Sequence, residues 1–308
     1  MTNESDTSPV IRIGHFSDLH LPLGRAVHPR QLAGKRLLGY LNLRFNRSKT
    51  HKLDAFAVLL AELVKERPDF TIMTGDLTSL AFEFEFAAID ELFRSAGLQP
   101  ETTLIIPGNH DRYALLADIR CAFERSLAAW LPEGFSRSSG YPLCRLAPPV
   151  AIFGLDTAVW RNPIRAAGHL SAEQIARLRE LLESARAQAL FPIIAMHHPP
   201  FHLRRTWLRD YRSGLDGGDD LLTALSNRVC TVLHGHLHAF SRRRIQNLDV
   251  IGVPAASNDA SCESRQLAYH VYTFSREGLK TAEGVRYWPR RSTGQFERYA
   301  LPLNAFVD

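Results

Sequence analysis

Five short stretches of this 308-residue chain end apolar runs in residue types that bind metal ions. They are Asp18-Leu19-His20, Gly75-Asp76, Gly108-Asn109-His110-Asp111, His197-His198 and Gly235-His236-Leu237-His238. In Asp18-x-His20 and His236-x-His238, the i and i+2 side chains lie on the same side of an extended backbone, so each pair is expected to face one cluster. Gly75, Gly108 and Gly235 stand where the chain must turn sharply or where backbone must come close to that cluster. Seven residues have ligand chemistry: Asp18, His20, Asp76, Asn109, His197, His236 and His238. One ion takes about four to six ligands, so seven point to two ions, and a carboxylate such as Asp76 can bridge them. Imidazole, carboxylate and amide oxygen without thiolate suit Mn, Fe or Zn, as a divalent or mixed-valence pair. Two such ions about 3.5–4 Å apart clamp a phosphate and generate hydroxide at neutral pH.

The elements that must position these residues are legible as alternating patterns. VIRIGHFSD (10–18), DFTIMTGD (69–76) and TLIIPGNHD (103–111) read as strands. The stretches 53–66 and 83–97 have apolar residues at helical spacing, and a further helix is expected from the third strand to about Trp130. YPLCRL, VAIFGLD, FPIIAMHH and RVCTVLHGH read as buried strands, and Ser171 with Gln174 forms a capping-box pattern before a helix. Beyond Arg242 the pattern is short strands and turns. The expectation is a frayed tail over 1–9 and a single domain over 10–308, with two packed sheets and helices outside. In open α/β sheets, functional residues gather at the carboxyl ends of strands, so five such ends imply one convergent site. Singly, each motif has a plainer reading as a turn or a polar strand end; their joint occurrence in order favours one site. His15, inside the first strand, reads as a packed core histidine. His234 has no ligand role, and His198 is a substrate-side or supporting candidate.

Composition narrows the class further. Apolar residues make up 45% and charged residues 22%, which is enough for a sizeable core. No apolar run reaches the roughly 18 residues needed to span a bilayer. The first ten residues lack the basic start and apolar middle of a secretory signal. Cys121, Cys144, Cys230 and Cys262 form no CxxC, which favours free thiols and a cytoplasmic setting. Net charge is +5 and the pI near 9.2, a mild lean toward anionic partners.

The ordered set DLH, GDL, GNHD, HH and GHLH resembles the calcineurin-like metallophosphoesterase superfamily from Asp18 to His238. The resemblance implies an α/β protein with the four-layer α/β/β/α sandwich of the metallophosphoesterase fold and a dinuclear site. Carried over motif by motif, Asp18, His20, Asp76 and His238 hold one metal, and Asp76, Asn109, His197 and His236 hold the other. His110 then lies beside the scissile phosphate, stabilising charge or protonating the leaving oxygen, with Asp111 orienting it. The nucleophile is a metal-bound hydroxide, so no Ser or Cys nucleophile is needed. The GNHD and HHPP patterns and the length resemble class III cyclic-nucleotide phosphodiesterases and glycerophosphodiesterases. The implied activity is that of a metal-dependent phosphoric diester hydrolase. KRLLGYLNL also resembles chlamydial-type UDP-2,3-diacylglucosamine pyrophosphatases of lipid A synthesis, although His110 stands where the better-known branch of those hydrolases carries Arg.

Two long connections remain. Residues 23–52 form a basic insertion interleaved with Leu, Tyr and Phe, a composition that suits a cap or contact with a lipid surface, peripheral to a membrane. Residues 202–218 carry Arg204, Arg205, Arg209 and Arg212 with Trp207 and Tyr211. Arg204 and Arg205, with His198, are the expected substrate-binding residues for an anionic phosphoester. A reading from another class is a non-catalytic scaffold on the same fold, but all seven ligand types and His110 are present. A nuclease would need a DNA-binding element that the chain lacks, so no nucleic-acid partner is expected. Nothing in the sequence assigns an oligomeric state.

Overall fold

The apolar runs form two six-stranded sheets whose inner faces pack together. In a computed structural model, residues 9–21, 27–32, 35–45, 53–162, 165–202, 211–289 and 294–304 are described. The chain begins β1 (Ile11–Phe16), α1 (Lys35–Phe45), α2 (Leu53–Lys65), β2 (Phe70–Met73), α3 (Glu83–Ser95) and β3 (Thr103–Ile105). It continues through β4 (Leu143–Ala147), β5 (Val150–Gly154), β6 (Gly168–His169), α4 (Ala172–Ala187), β7 (Phe191–Met196), β8 (Leu215–Asp216), α5 (Gly218–Leu225) and β9 (Cys230–His234). The hairpin β10 (Ser241–Ile245) and β11 (Leu248–Gly252) follows, then β12 (Ala268–Ser275), β13 (Gly278–Trp288) and β14 (Gln295–Ala300).

One sheet has the order β14-β13-β12-β1-β2-β3 and the other β10-β11-β9-β7-β5-β4. Their centres are parallel: β1-β2-β3 in the first, and β5-β7-β9-β11 in the second. Parallel strands are covered on both faces, which explains why they read as unbroken apolar runs. Three cores separate four layers. Ile13, Ile72, Leu104, Ile152, Ile193 and Leu233 fill the space between the sheets. Phe56 and Leu60 of α2 and Phe86 and Phe93 of α3 cover the first sheet. Leu178 and Leu182 of α4 and Leu221 of α5 cover the second. This is the expected α/β/β/α sandwich.

The structure departs from the sequence reading at several points. The helix expected to run to Trp130 is two short ones, Leu115–Ile119 and Ala122–Ser126, followed by a tight turn at Ala128–Trp130. Cys121 between the helices is left-handed at φ 50°, which breaks the continuous ladder. Trp130 is buried edge-on against Phe93 at 5.8 Å, and its Nε1 donates to Asp90 at 2.6 Å. Ser171 does cap α4, accepting from Gln174 N at 3.2 Å. The Gln174 side chain does not close the box, because it pairs with the backbone of Asp156. All four cysteines are free. Within the basic insertion, α1 is a helix and Pro29–Gln31 a single tight turn. Residues 23–26, 33–34 and 46–52 of that stretch, Pro22 before it, the tail over 1–8, and Arg204, Arg205, Trp207 and Arg209 lie outside the described residues. No described helix is long and apolar enough to cross a membrane.

Ile152 is fully buried between the sheets. Ile152→Ala should cost about 2–5 kcal/mol, the range for a methylene-to-cavity change in a core. A fall in the urea midpoint checks it.

Candidate metal centre

The turns after β1, β2 and β9 hold five residues in the left-handed region: Asp18 (φ 57°), His20 (43°), Asp76 (54°), His236 (67°) and His238 (51°). This conformation costs an L-residue roughly 1–2 kcal/mol. All five belong to the expected ligand set, and such strain gathers at functional sites. Cross-links hold the turns in place. Asp18 N donates to Gly75 O at 2.9 Å, His20 N to Asp76 O at 2.9 Å and Leu21 N to Leu77 O at 3.0 Å. A Cβ on Gly75 would strike the Gly108 backbone, and one on Gly108 would strike the backbone of Asp76, so the turns after β2 and β3 touch through two glycines. Gly235 serves close approach rather than a sharp turn. A Cβ there would meet Ser17 Oγ and lie 2.5 Å from Asp18 Oδ2, the oxygen that accepts from His236 N at 3.0 Å.

These turns gather two groups. Asp18, His20, Asp76 and His238 each offer an atom, all within 4.8 Å of one another. His20 Nε2 and His238 Nε2 are 2.9 Å apart. Asp18 Oδ1 is buried and accepts no hydrogen bond, although His238 Nε2 lies 3.2 Å away and His20 Nε2 3.8 Å away. An orphaned carboxylate oxygen facing converging imidazole nitrogens is a place for a cation. In the second group, Asn109 Oδ1 lies 3.2 Å from His197 Nε2 and 3.1 Å from His236 Nδ1. Asp76 Oδ2 stands between the groups, 3.6 Å from His20 Nε2 and 3.5 Å from His197 Nε2.

Asp18 and His20 share a group, whereas His236 and His238 divide between the two. Both pairs get there through left-handed turns rather than the extended backbone expected.

Backbone carbonyls fix the rings. His197 Nδ1 donates to Thr74 O at 2.7 Å and His236 Nε2 to Ser213 O at 3.0 Å, which turns His197 Nε2 and His236 Nδ1 inward. Burial alone would raise the Asp76 carboxyl, but His197, His110 and His20 outweigh it and hold it well below the usual range. Burial opposes charge on His197, yet Asp76 beside it raises the imidazole to about 9.

His198 also lies near His197 and His236. Both its nitrogens are engaged, however: Nδ1 with Thr157 Oγ1 at 2.9 Å and Nε2 with Ala166 O at 2.9 Å. It is fully buried, and its ring backs that of His236 at 4.4 Å. Of the two roles expected for it, substrate-side or supporting, this geometry is that of a buttress, and Asn109 is the better third donor. His234 joins neither group. Burial lowers it to about 4, its Nδ1 pairs with Gly235 O at 2.9 Å, and it packs edge-on to Phe201. His15 is a core histidine bonded to Thr74 Oγ1 at 2.9 Å.

His110 lies beside the first group, edge-on to His20 at 4.6 Å and stacked on Tyr113 at 4.9 Å. Its N donates to Asp76 Oδ1 at 2.6 Å and its Nδ1 to Ser79 O at 2.8 Å. Asp111 does not orient the ring as expected. Its carboxylate accepts from Leu77 N (3.2 Å), Thr78 N (2.9 Å), Gly108 N (2.9 Å) and Thr78 Oγ1 (3.0 Å), clamping the turns after β2 and β3. Ser79 orients His110, and Glu85 fixes that loop by accepting from Ser79 N at 2.8 Å and Phe82 N at 2.9 Å. Sequence reasoning missed Thr74, Ser79 and Ser213, which act through carbonyls that every residue carries. An aromatic two positions after Asp111 was the available signal for Tyr113.

Comparison with known proteins agrees with this geometry. Residues 11–240 match the family model described as calcineurin-like phosphoesterase. The chain belongs to that family and is a hydrolase acting on phosphoesters. It is 24% identical over 248 residues to a protein of Arcobacter nitrofigilis named as a probable glycerophosphodiester phosphodiesterase GpdQ, covering 80% of this chain and 83% of that one. It is 22% identical to a probable cyclic nucleotide phosphodiesterase of Vesicomyosocius okutanii, covering 69% of this chain and 80% of that one. Among solved structures, a dimetal phosphatase from Danio rerio shares the fold with a TM-score of 0.59 at 13% identity, over 96% of this chain and 100% of that one. A purple acid phosphatase from yellow lupin seeds has a TM-score of 0.58 at 12% identity, over 96% of this chain and 54% of that one.

Gly235→Ala should push Asp18 out of the first group while leaving the sheets intact. The expected result is loss of about half the bound metal with an unchanged far-UV circular dichroism spectrum, measured by elemental analysis after loading with Mn2+.

Proposed function

We propose that the protein is a dinuclear metal-dependent phosphodiesterase acting on a cyclic nucleotide or glycerophosphodiester type of substrate. The observation that carries this reading is the Asp76 carboxylate, shared between imidazoles of two groups, beside the orphaned Asp18 Oδ1. The residues present fit a pair of Mn, Fe or Zn ions. Asp18, His20, Asp76 and His238 would hold one ion, and Asp76, Asn109, His197 and His236 the other. When bound, such a pair supplies Lewis acidity toward phosphate oxygens and a nucleophile at neutral pH.

The chain's own residues do the rest. Asp76 joins the two positions and, through the His110 N–H it accepts, ties the acid–base histidine to them. The Ser79 carbonyl holds His110 Nδ1–H, so the Nε2 side of the ring is the one to meet a phosphate oxygen or to protonate the leaving alkoxide. Thr74 and Ser213 keep His197 and His236 in ligand tautomers. Two relatives named as diesterases favour a diester over a monoester.

Turnover of bis(p-nitrophenyl) phosphate by the Mn2+-loaded protein tests the reading. Asn109→Ala should retain about one ion and lose most activity. His110→Ala should keep both ions and fall roughly 100-fold or more, the scale of a general acid. A folded Asn109→Ala protein with full activity and full metal content would sink the ligand assignment. No turnover by the folded wild-type protein with Mn, Fe or Zn would sink the activity.

A further inference from the structure

Beside the metal centre is a cavity of about 680 Å3 that the proposed chemistry does not use. Phe84, Leu115, Leu116 and Trp160 contribute apolar wall, Arg30, Lys35, Arg36 and Arg120 contribute positive charge, and Glu83 contributes a carboxylate. α1 forms one side, held to the loop after the second ligand turn by Arg36, which donates to Leu80 O at 3.0 Å and Ala81 O at 2.6 Å. Lys35 connects cavity and centre. It lines the cavity, and its Nζ lies 4.4 Å above the ring of Tyr113, which is stacked on His110. Among the described residues, neither Arg30, Arg120 nor Lys35 forms an ion pair with a carboxylate; Lys35 Nζ reaches only the Arg161 carbonyl, at 3.4 Å.

The short helix Leu115–Ile119 brings exposed apolar surface to the cavity: Leu115 and Leu116 line it and are 46% and 62% exposed. Single exposed leucines need no explanation, but two adjacent ones lining one cavity beside Phe84 and Trp160 mark a place for an apolar group.

We propose that this cavity receives the apolar ester group of an amphiphilic, lipid-like phosphodiester, with Lys35 selecting the phosphate end between cavity and metal centre. This rests on the phosphodiesterase reading and narrows its substrate class. The volume is that of a small-molecule site. A glycerol headgroup or a cyclic nucleotide carries no chain to cover Leu115 and Leu116. Four cations against one carboxylate in the lining leave a positive surplus that matches a phosphodiester monoanion and would draw it in.

The test compares octyl p-nitrophenyl phosphate with methyl p-nitrophenyl phosphate on the Mn2+-loaded protein. The leaving group is the same, and only the chain differs. The expected kcat/KM is at least tenfold higher for the octyl ester, mainly through KM. Leu116→Asp should bring the ratio close to one, whereas Val229→Asp, an exposed apolar position before β9, should preserve it. Lys35→Met should raise KM for both esters. Equal kcat/KM for the two esters in the wild-type protein, or an unchanged ratio in Leu116→Asp, overturns the proposal. If neither ester is hydrolysed, the phosphodiesterase reading fails, and calorimetry then decides the cavity separately: tighter binding of the octyl ester supports it, and equal affinity overturns it.

Discussion

A buried carboxylate shared by two imidazoles is the interaction on which the rest of this molecule depends. Asp76 stands at the end of β2 in one sheet, and His197 at the end of β7 in the other. Burying a carboxylate is costly unless it is paired and hydrogen-bonded. Here His197, His20 and the His110 N–H meet that cost together. The contact therefore specifies how the two sheets dock as well as how the centre is built. The left-handed turns, the touching glycines and the inward-facing ring nitrogens all serve to bring donors to this one group.

The scaffold supports the centre from a distance through a second buried charge. Arg112, 1% exposed, pairs with Glu124 at 2.5 Å and Asp156 at 2.7 Å. It follows the turn after β3 directly, and Asp156 precedes Thr157, which holds His198. The ion cluster thus links the turn bearing Asn109 and His110 to the loop that buttresses His236. Removing one partner of such a cluster leaves an uncompensated buried charge, so its effect would reach the centre through backbone position rather than contact.

The sequence made much of this legible, for identifiable reasons. Metal ligands are drawn from few residue types, so five motifs in order were readable without coordinates. Strands buried on both faces read as apolar runs, and β7 and β9 are of this kind. Backbone conformation was hidden. Nothing in the letters Asp18 or His236 announces a positive φ, so the extended backbone expected at both motifs gives way to left-handed turns. Carbonyl acceptors are anonymous, so Thr74, Ser79 and Ser213 went unseen, and Asp111 was given the task that Ser79 performs. The break at Cys121 was invisible because a cysteine seldom adopts a left-handed turn. The basic and apolar letters of 35–41 were noticed, but only the packing of Arg36 and Lys35 shows which of them turn toward the centre.

The dispersal of the proposed ligands along the chain sets the order in which they emerge during biosynthesis. Asp18, His20, Asp76 and Asn109 precede residue 111, whereas His197, His236 and His238 come from the second sheet. At the usual pace of translation, roughly 5–20 residues per second, the last of them emerges on the order of ten seconds after the first set. A nascent chain holding only the first four has two carboxylates, one imidazole and one amide, an open set with little to distinguish one ion from another. A pair of ions held as proposed would then find its complete set of donors only in the finished domain, where both sheets are present.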